Sequence, residues 1–179
     1  MLRAVYAVLL GLFGAGIVHI AALLLLPAMS DRDAWSRLAV AGELQTFIGL
    51  EGDGIGVLAS ADPHFEAAAC RFDLSQGYAH VQAAGNPPFW SISVYNRAGQ
   101  NIYSFNDRTA VDGQLDLVLV TPVQAQALRR SPPAALEQSI VVEIDTVEGI
   151  VVLRSFIPDE SWRDQVSAYL SGAQCALGQ

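Results

Sequence analysis

Two hydrophobic patterns divide the chain. From Ala4 to Leu26 the residues run without an acid, an Arg or a Lys, and as a helix that stretch is roughly 34 Å long, enough to cross the apolar core of a bilayer. From Ala67 onward the pattern changes to period-two alternation. It predicts strands at 67–74, 77–83, 89–96, 101–106, 114–121, 139–145 and 149–157. Seven short strands within about ninety residues point to two packed sheets, a mainly β sandwich.

The alternation also assigns faces. In FWSISVYN, residues 89–96, Trp90, Ile92 and Val94 share one side and form the expected core face, opposite Phe89, Ser91, Ser93 and Tyr95. Leu115, Leu117 and Leu119 point together, with Asp116 outward. The segment Arg97-Ala98-Gly99-Gln100 reads as the turn of a hairpin with the next strand. Short helices punctuate the strands. Thr121-Pro122 opens one that Arg129 and Arg130 finish, and Pro158-Asp159-Glu160 opens a last one whose stripe is Trp162, Val166 and Tyr169.

The apolar segment is read as an uncleaved membrane anchor that exits at Pro27. A signal peptide is the competing reading, but its apolar region is typically about 7 to 15 residues. Ala7, Gly11, Ala15, His19 and Ala22 fall on one narrow stripe of this helix. Small residues let a second helix approach, and an imidazole in hydrocarbon needs a partner, so the stripe is a candidate surface for docking another inner-membrane protein. The alternative is that Ala and Gly are simply common in such helices. After Pro27, Ser30 and Asp33 suggest a capping box opening a separate juxtamembrane helix through about Ala41. Trp35 on that helix suits either the headgroup layer or packing onto the domain.

Composition narrows the function classes. The 179 residues hold ten Arg, no Lys and eighteen acids, a formal charge of -8; only Arg129 and Arg130 are adjacent, which argues against nucleic acid as a partner. The two cysteines, Cys70 and Cys175, form the even count of an exported chain. A disulfide between them would tie the C-terminal helix to the sheet; two free thiols are the alternative. The cysteines in turn favour a cytoplasmic N-terminus and a periplasmic body. His64 and His80 lack metal-ligand spacing, so no metal and no cofactor is expected. Residues 49–56, GLEGDGIG, contain four glycines but no GK[ST] ending, and read as a turn or bulge rather than a phosphate loop.

The residues Asp62-Pro63 with Phe65, Cys70-Arg71-Phe72-Asp73 and above all FWSISVYNRAGQNIYSFNDR, residues 89–108, resemble one of the two small bacterial cell-envelope domains of unknown function numbered twelve fifty-four and twelve fourteen. In single-pass alphaproteobacterial members a short membrane helix precedes a β-rich domain. The resemblance implies an envelope location and a jelly-roll-like sandwich; with the residue pattern, the fold expected is mainly β, an N-terminal transmembrane helix followed by a jelly-roll-like antiparallel β-sandwich with two or three short helices. It supplies no catalytic residues.

The domain organisation expected is an anchor at 1–28, a juxtamembrane helix and Gly-rich connection at 29–61, and an external sandwich at 62–179. Around the hairpin, Tyr95, Asn96, Arg97, Tyr103, Asn106, Asp107 and Arg108 form a candidate ligand site for an envelope glycan or small molecule; turn closure explains the same residues. Carboxylates gather at Glu143, Asp145 and Glu148, and of these Glu143 and Asp145, on one strand face, suit an acid and a base, which an exposed strand face ending in a turn explains equally. No nucleophile elbow accompanies any Ser. The function expected is therefore a non-catalytic accessory, assembly or interaction subunit in the inner membrane, with a tethered binding module as the alternative and a hydrolase behind both.

Overall fold

The computed structural model describes residues 1–50 and 62–178, with the side chains of all of these except 26–33. Helix α1 (Leu2–Ala41) leads into β1 (Phe47–Gly49), β2 (Phe65–Asp73), β3 (Tyr78–Ala83), β4 (Trp90–Asn96), β5 (Asn101–Asn106) and β6 (Leu115–Val120). Then follow α2 (Pro122–Arg130), β7 (Ile140–Glu143), β8 (Glu148–Phe156), α3 (Arg163–Ser171) and β9 (Gln174–Gly178). The strands make two sheets, ordered β1-β2-β8-β4-β5 and β7-β6-β3-β9.

The sheets face each other across one apolar core. Ala68, Cys70 and Phe72 of β2, Val151 and Leu153 of β8, and Trp90, Ile92 and Val94 of β4 meet Ala79 and Val81 of β3 and Leu115, Leu117 and Leu119 of β6. The period-two reading is therefore correct in position for these strands, and in face for β4 and β6, where faces were assigned. Trp90 meets Phe105 edge to face, with ring centres 5.6 Å apart, and its indole N–H donates to the Gly113 carbonyl. Such a buried ring with a satisfied polar tip is the usual condition for Trp inside a core.

Cys70 and Cys175 are joined, and the disulfide spans the core from one sheet to the other. Here the sequence expectation is corrected in one respect. Cys175 stands on strand β9, paired with Val81, and not on a C-terminal helix. Residues 174–178 contain good helix formers, but the β3 edge offers a ladder that local propensity cannot foresee.

Two further differences have clear causes. Helix α1 is continuous from Leu2 to Ala41, so Pro27 does not end it and no separate helix begins at Ser30. A proline inside a helix removes one backbone bond, and the helix formers before and after it outweigh that loss. The sandwich is also not wholly antiparallel: β7 lies parallel to β6, reached by a crossover through α2. The C-terminal stripe falls on Val166, Tyr169 and Leu170, while Trp162 stays half-exposed in the turn before α3. Most of the Gly-rich segment, and with it the expected turn, lies outside the described residues.

Each sheet has a covered outer face. Thr121 caps α2 through a reciprocal box with Gln124, whose side chain also donates to the Leu74 and Gly77 carbonyls. That anchorage sets Ala125 and Leu128 over Val118 and Val120. On the other sheet the cover is the end of α1, where Leu38 is buried with Ala67, Ala69 and Ile150.

Candidate functional site

The junction of α1 with the sandwich is built from alternating outward positions. Strand β2 turns Cys70 inward, so Arg71 emerges on the outer face beside the helix. Its guanidinium donates to the Gly42 carbonyl at 2.9 Å, just beyond the last turn of α1, and lies 5.1 Å from the centre of the Trp35 ring. Arg97, from the β4–β5 turn, lies 4.2 Å from the same ring. Two cations thus contact one indole face system, each favoured by the ring quadrupole. Burial, and Arg97 nearby, push the Arg71 guanidinium below its ordinary pKa. Glu148, at 3.7 Å from Arg97, offsets part of that charge. At Gly42 the fit is close, because a Cβ there would displace the Ile48 side chain.

Trp35 is therefore part of the sandwich. Ten residues separate it from Leu25, about 15 Å of helix, whereas the headgroup layer on one side of a bilayer is only about 5 to 8 Å deep. Leu2–Leu25 is long and apolar enough to cross a membrane, and none of it is buried against the rest of the chain. The stripe residues Ala7, Gly11, Ala15, His19 and Ala22 all lie on this uncovered part, and Gly11 has open space where a side chain would stand.

The seven hairpin residues do not converge. Tyr95, Asn96 and Arg97 sit at the turn end, whereas Asn106 closes the far end of β5, about 17 Å along the strand, and Asp107 and Arg108 follow it. Asn96 closes the turn through Gln100, and Gly99 takes the positive φ it needs. The Asn106 side-chain oxygen accepts from the Arg108 N–H and the Asn106 N–H donates to the Thr109 hydroxyl, closing a second turn. Tyr103 packs against Phe105, on the core side. The carboxylates are likewise dispersed. Glu143 faces Arg129 at 3.5 Å, Glu148 faces Arg97 on the other sheet, and Asp145 is exposed.

One polar cluster was not visible in the sequence. On the outer face of β3 and β6, His80 Nε2 lies 2.8 Å from one oxygen of Asp116, and Gln82 donates to the other at 3.1 Å. Burial works to raise the Asp116 carboxyl, but Ser139, His80 and Gln82 around it prevail and hold it below the ordinary carboxylate range. His64 instead faces the Ile157 carbonyl and the Phe156 ring. Among the described residues no group of three or more His, Cys, Asp or Glu could hold a metal ion.

No protein-family model matches the chain, and no curated protein sequence does. In fold it is similar to the VPA0106 protein from Vibrio parahaemolyticus, with a TM-score of 0.60 at 12% identity over 83% of this chain and 35% of that one. An uncharacterised protein from Burkholderia cenocepacia is less similar, with a TM-score of 0.47 and 14% identity over 75% of this chain and 37% of that one. The chain thus spans about a third of the length of these neighbours. At this identity the likeness to the VPA0106 protein concerns the fold alone.

Proposed function

We propose that this chain is a single-pass inner-membrane protein whose sandwich lies in the periplasm and serves as a non-catalytic accessory or assembly subunit. The observation that carries the reading is the continuity of α1. Its first 24 residues are long and apolar enough on average to cross a membrane and are uncovered, and the same helix continues to Trp35 and Leu38, which are packed on the sandwich. An apolar helix with nothing of its own chain upon it is stable in lipid, where every backbone group is satisfied within the helix. The Cys70–Cys175 disulfide supports an oxidising compartment, and hence the periplasmic side. The sandwich is read as the cell-envelope domain that residues 89–108 resemble.

In this reading the stripe of Ala7, Gly11, Ala15, His19 and Ala22 receives a helix of another inner-membrane protein, with His19 bonding across the contact. The test is purification of the intact protein from its native membranes in mild detergent, with mass spectrometry of what accompanies it. Resistance to alkaline carbonate extraction and a stoichiometric membrane partner lost on Gly11→Ile are expected. Release by carbonate overturns the anchor, and a lone monomer overturns the subunit role.

A further inference from the structure

The core face of β2 contains one residue that does not belong in an apolar row. Glu66 precedes Ala68, Cys70 and Phe72 on the same side of the strand, and it is only 6% exposed. It lies at a cleft of about 310 Å³ between the β1–β2 edge and α3, with Phe47 on one wall and Ser167 and Ser171 on another. That volume is at the lower end of the range for small-molecule sites, roughly 300 to 1,000 Å³. Gly49 also lines it, and a Cβ there would stand in open space with nothing within 4 Å.

The carboxylate is poorly satisfied for its burial. Arg163 turns Nε and Nη2 to the two oxygens of Glu160, at 2.8 and 3.1 Å, and gives Glu66 a single contact from Nη1 to Oε1 at 3.2 Å. Among the described residues Arg163 is the one side-chain partner of Glu66. A buried carboxylate normally gathers several donors, since an incompletely paired charge in a protein interior is costly. Two carboxylates share one guanidinium here, so the trio has a net negative charge that a second cationic donor would offset. An ammonium group supplies both the charge and the missing N–H bonds. Ser167 and Ser171 offer hydroxyls to the remainder of such a ligand, and Phe47 offers apolar surface.

We propose that this cleft binds small organic ammonium compounds, with the Glu66 carboxylate accepting hydrogen bonds from the ammonium group. Calorimetric titration of the full chain in nonionic detergent, with benzylamine as probe and benzyl alcohol as its uncharged counterpart, tests this. Saturable binding of benzylamine is expected, with benzyl alcohol at least about tenfold weaker because the charge-assisted bond is lost. Glu66→Gln weakens benzylamine by about tenfold or more. Gly49→Leu adds a side chain at a residue lining the cleft and leaves Glu66 and Arg163 themselves unaltered; it is expected to abolish binding while the chain keeps its thermal unfolding midpoint. No saturable benzylamine binding to the unaltered protein, equal binding of benzyl alcohol, or binding that persists in Gly49→Leu would overturn the proposal. These outcomes do not depend on whether α1 spans a membrane.

Discussion

The Arg97 guanidinium lies 4.2 Å from the centre of the Trp35 ring, so a turn of the sandwich and the end of the long helix are held together by a cation against an aromatic face. Arg71 contacts the same ring from β2. Trp35→Ala removes both contacts and the cover over Leu38 and Ile150. Full burial of a Trp side chain is worth about 3 to 5 kcal/mol on truncation, so this half-buried one is expected to cost about 2 kcal/mol. Denaturant unfolding of the full chain measures it, and limited proteolysis should newly cut near Ala39–Gly42. An unchanged unfolding midpoint would place Trp35 outside the packed junction.

The disulfide closes a loop of 105 residues between strands of different sheets. In the chain-entropy account such a loop contributes about 4 to 5 kcal/mol. Reduction, or the double Cys70→Ala and Cys175→Ala variant, is expected to lower the unfolding midpoint strongly, and no thiol should react with an alkylating agent in denaturant without reductant. Alkylation of both cysteines under those conditions would contradict the pairing.

Acid stability reports on Asp116. Its folded pKa is below the ordinary value of about 3.9, so its contribution is fully present above that unfolded value. It is lost as the pH falls through 4 toward the folded pKa. Asp116→Asn removes the charge that His80 and Gln82 engage, and is expected to cost about 1 to 2 kcal/mol at pH 7. Urea midpoints between pH 7 and pH 3 should fall less steeply in the variant than in the parent protein.

Tyr169 offers a test with the opposite sign. Its ring is buried beside Gly85, while its hydroxyl has no hydrogen-bond partner among the described residues. Burial first, and then the Asp107 carboxylate, push its pKa well above the ordinary tyrosine value. Removing an unsatisfied buried hydroxyl without leaving a cavity is close to neutral or stabilising, by up to about 1 kcal/mol. A clear loss of stability in Tyr169→Phe, by thermal or denaturant unfolding, would show that the hydroxyl is engaged.

The legible parts of the sequence were those where one local rule decides. Trp90, Ile92 and Val94 face inward because alternation and burial coincide on β4, and the Thr121-Pro122 start of α2 follows from capping chemistry alone. Elements created by pairing were illegible. Strand β1 has only three residues and exists against Cys70, Ala69 and Ala68 of β2; β9 exists against β3. The same holds for polar partners. His80 and Asp116 are 36 residues apart and meet only because Gln82 is in register with Asp116. Glu66 could have been noticed as an acid in an apolar alternating row, whereas its cleft needed α3 to be placed.

The uninterrupted course of α1 has a further consequence for how the sandwich is aimed. A helix advances about 1.5 Å and turns about 100° per residue, so the segment between Leu25 and Ala34 sets azimuth and height together. One inserted alanine there would swing the whole β body roughly a quarter turn about the helix axis while barely lifting it. Seven would return it to nearly the original heading, about 10 Å higher. A partner that reads the sandwich from the side would tolerate the second change far better than the first, and the length of this stretch is in that sense a phase setting and not a tether.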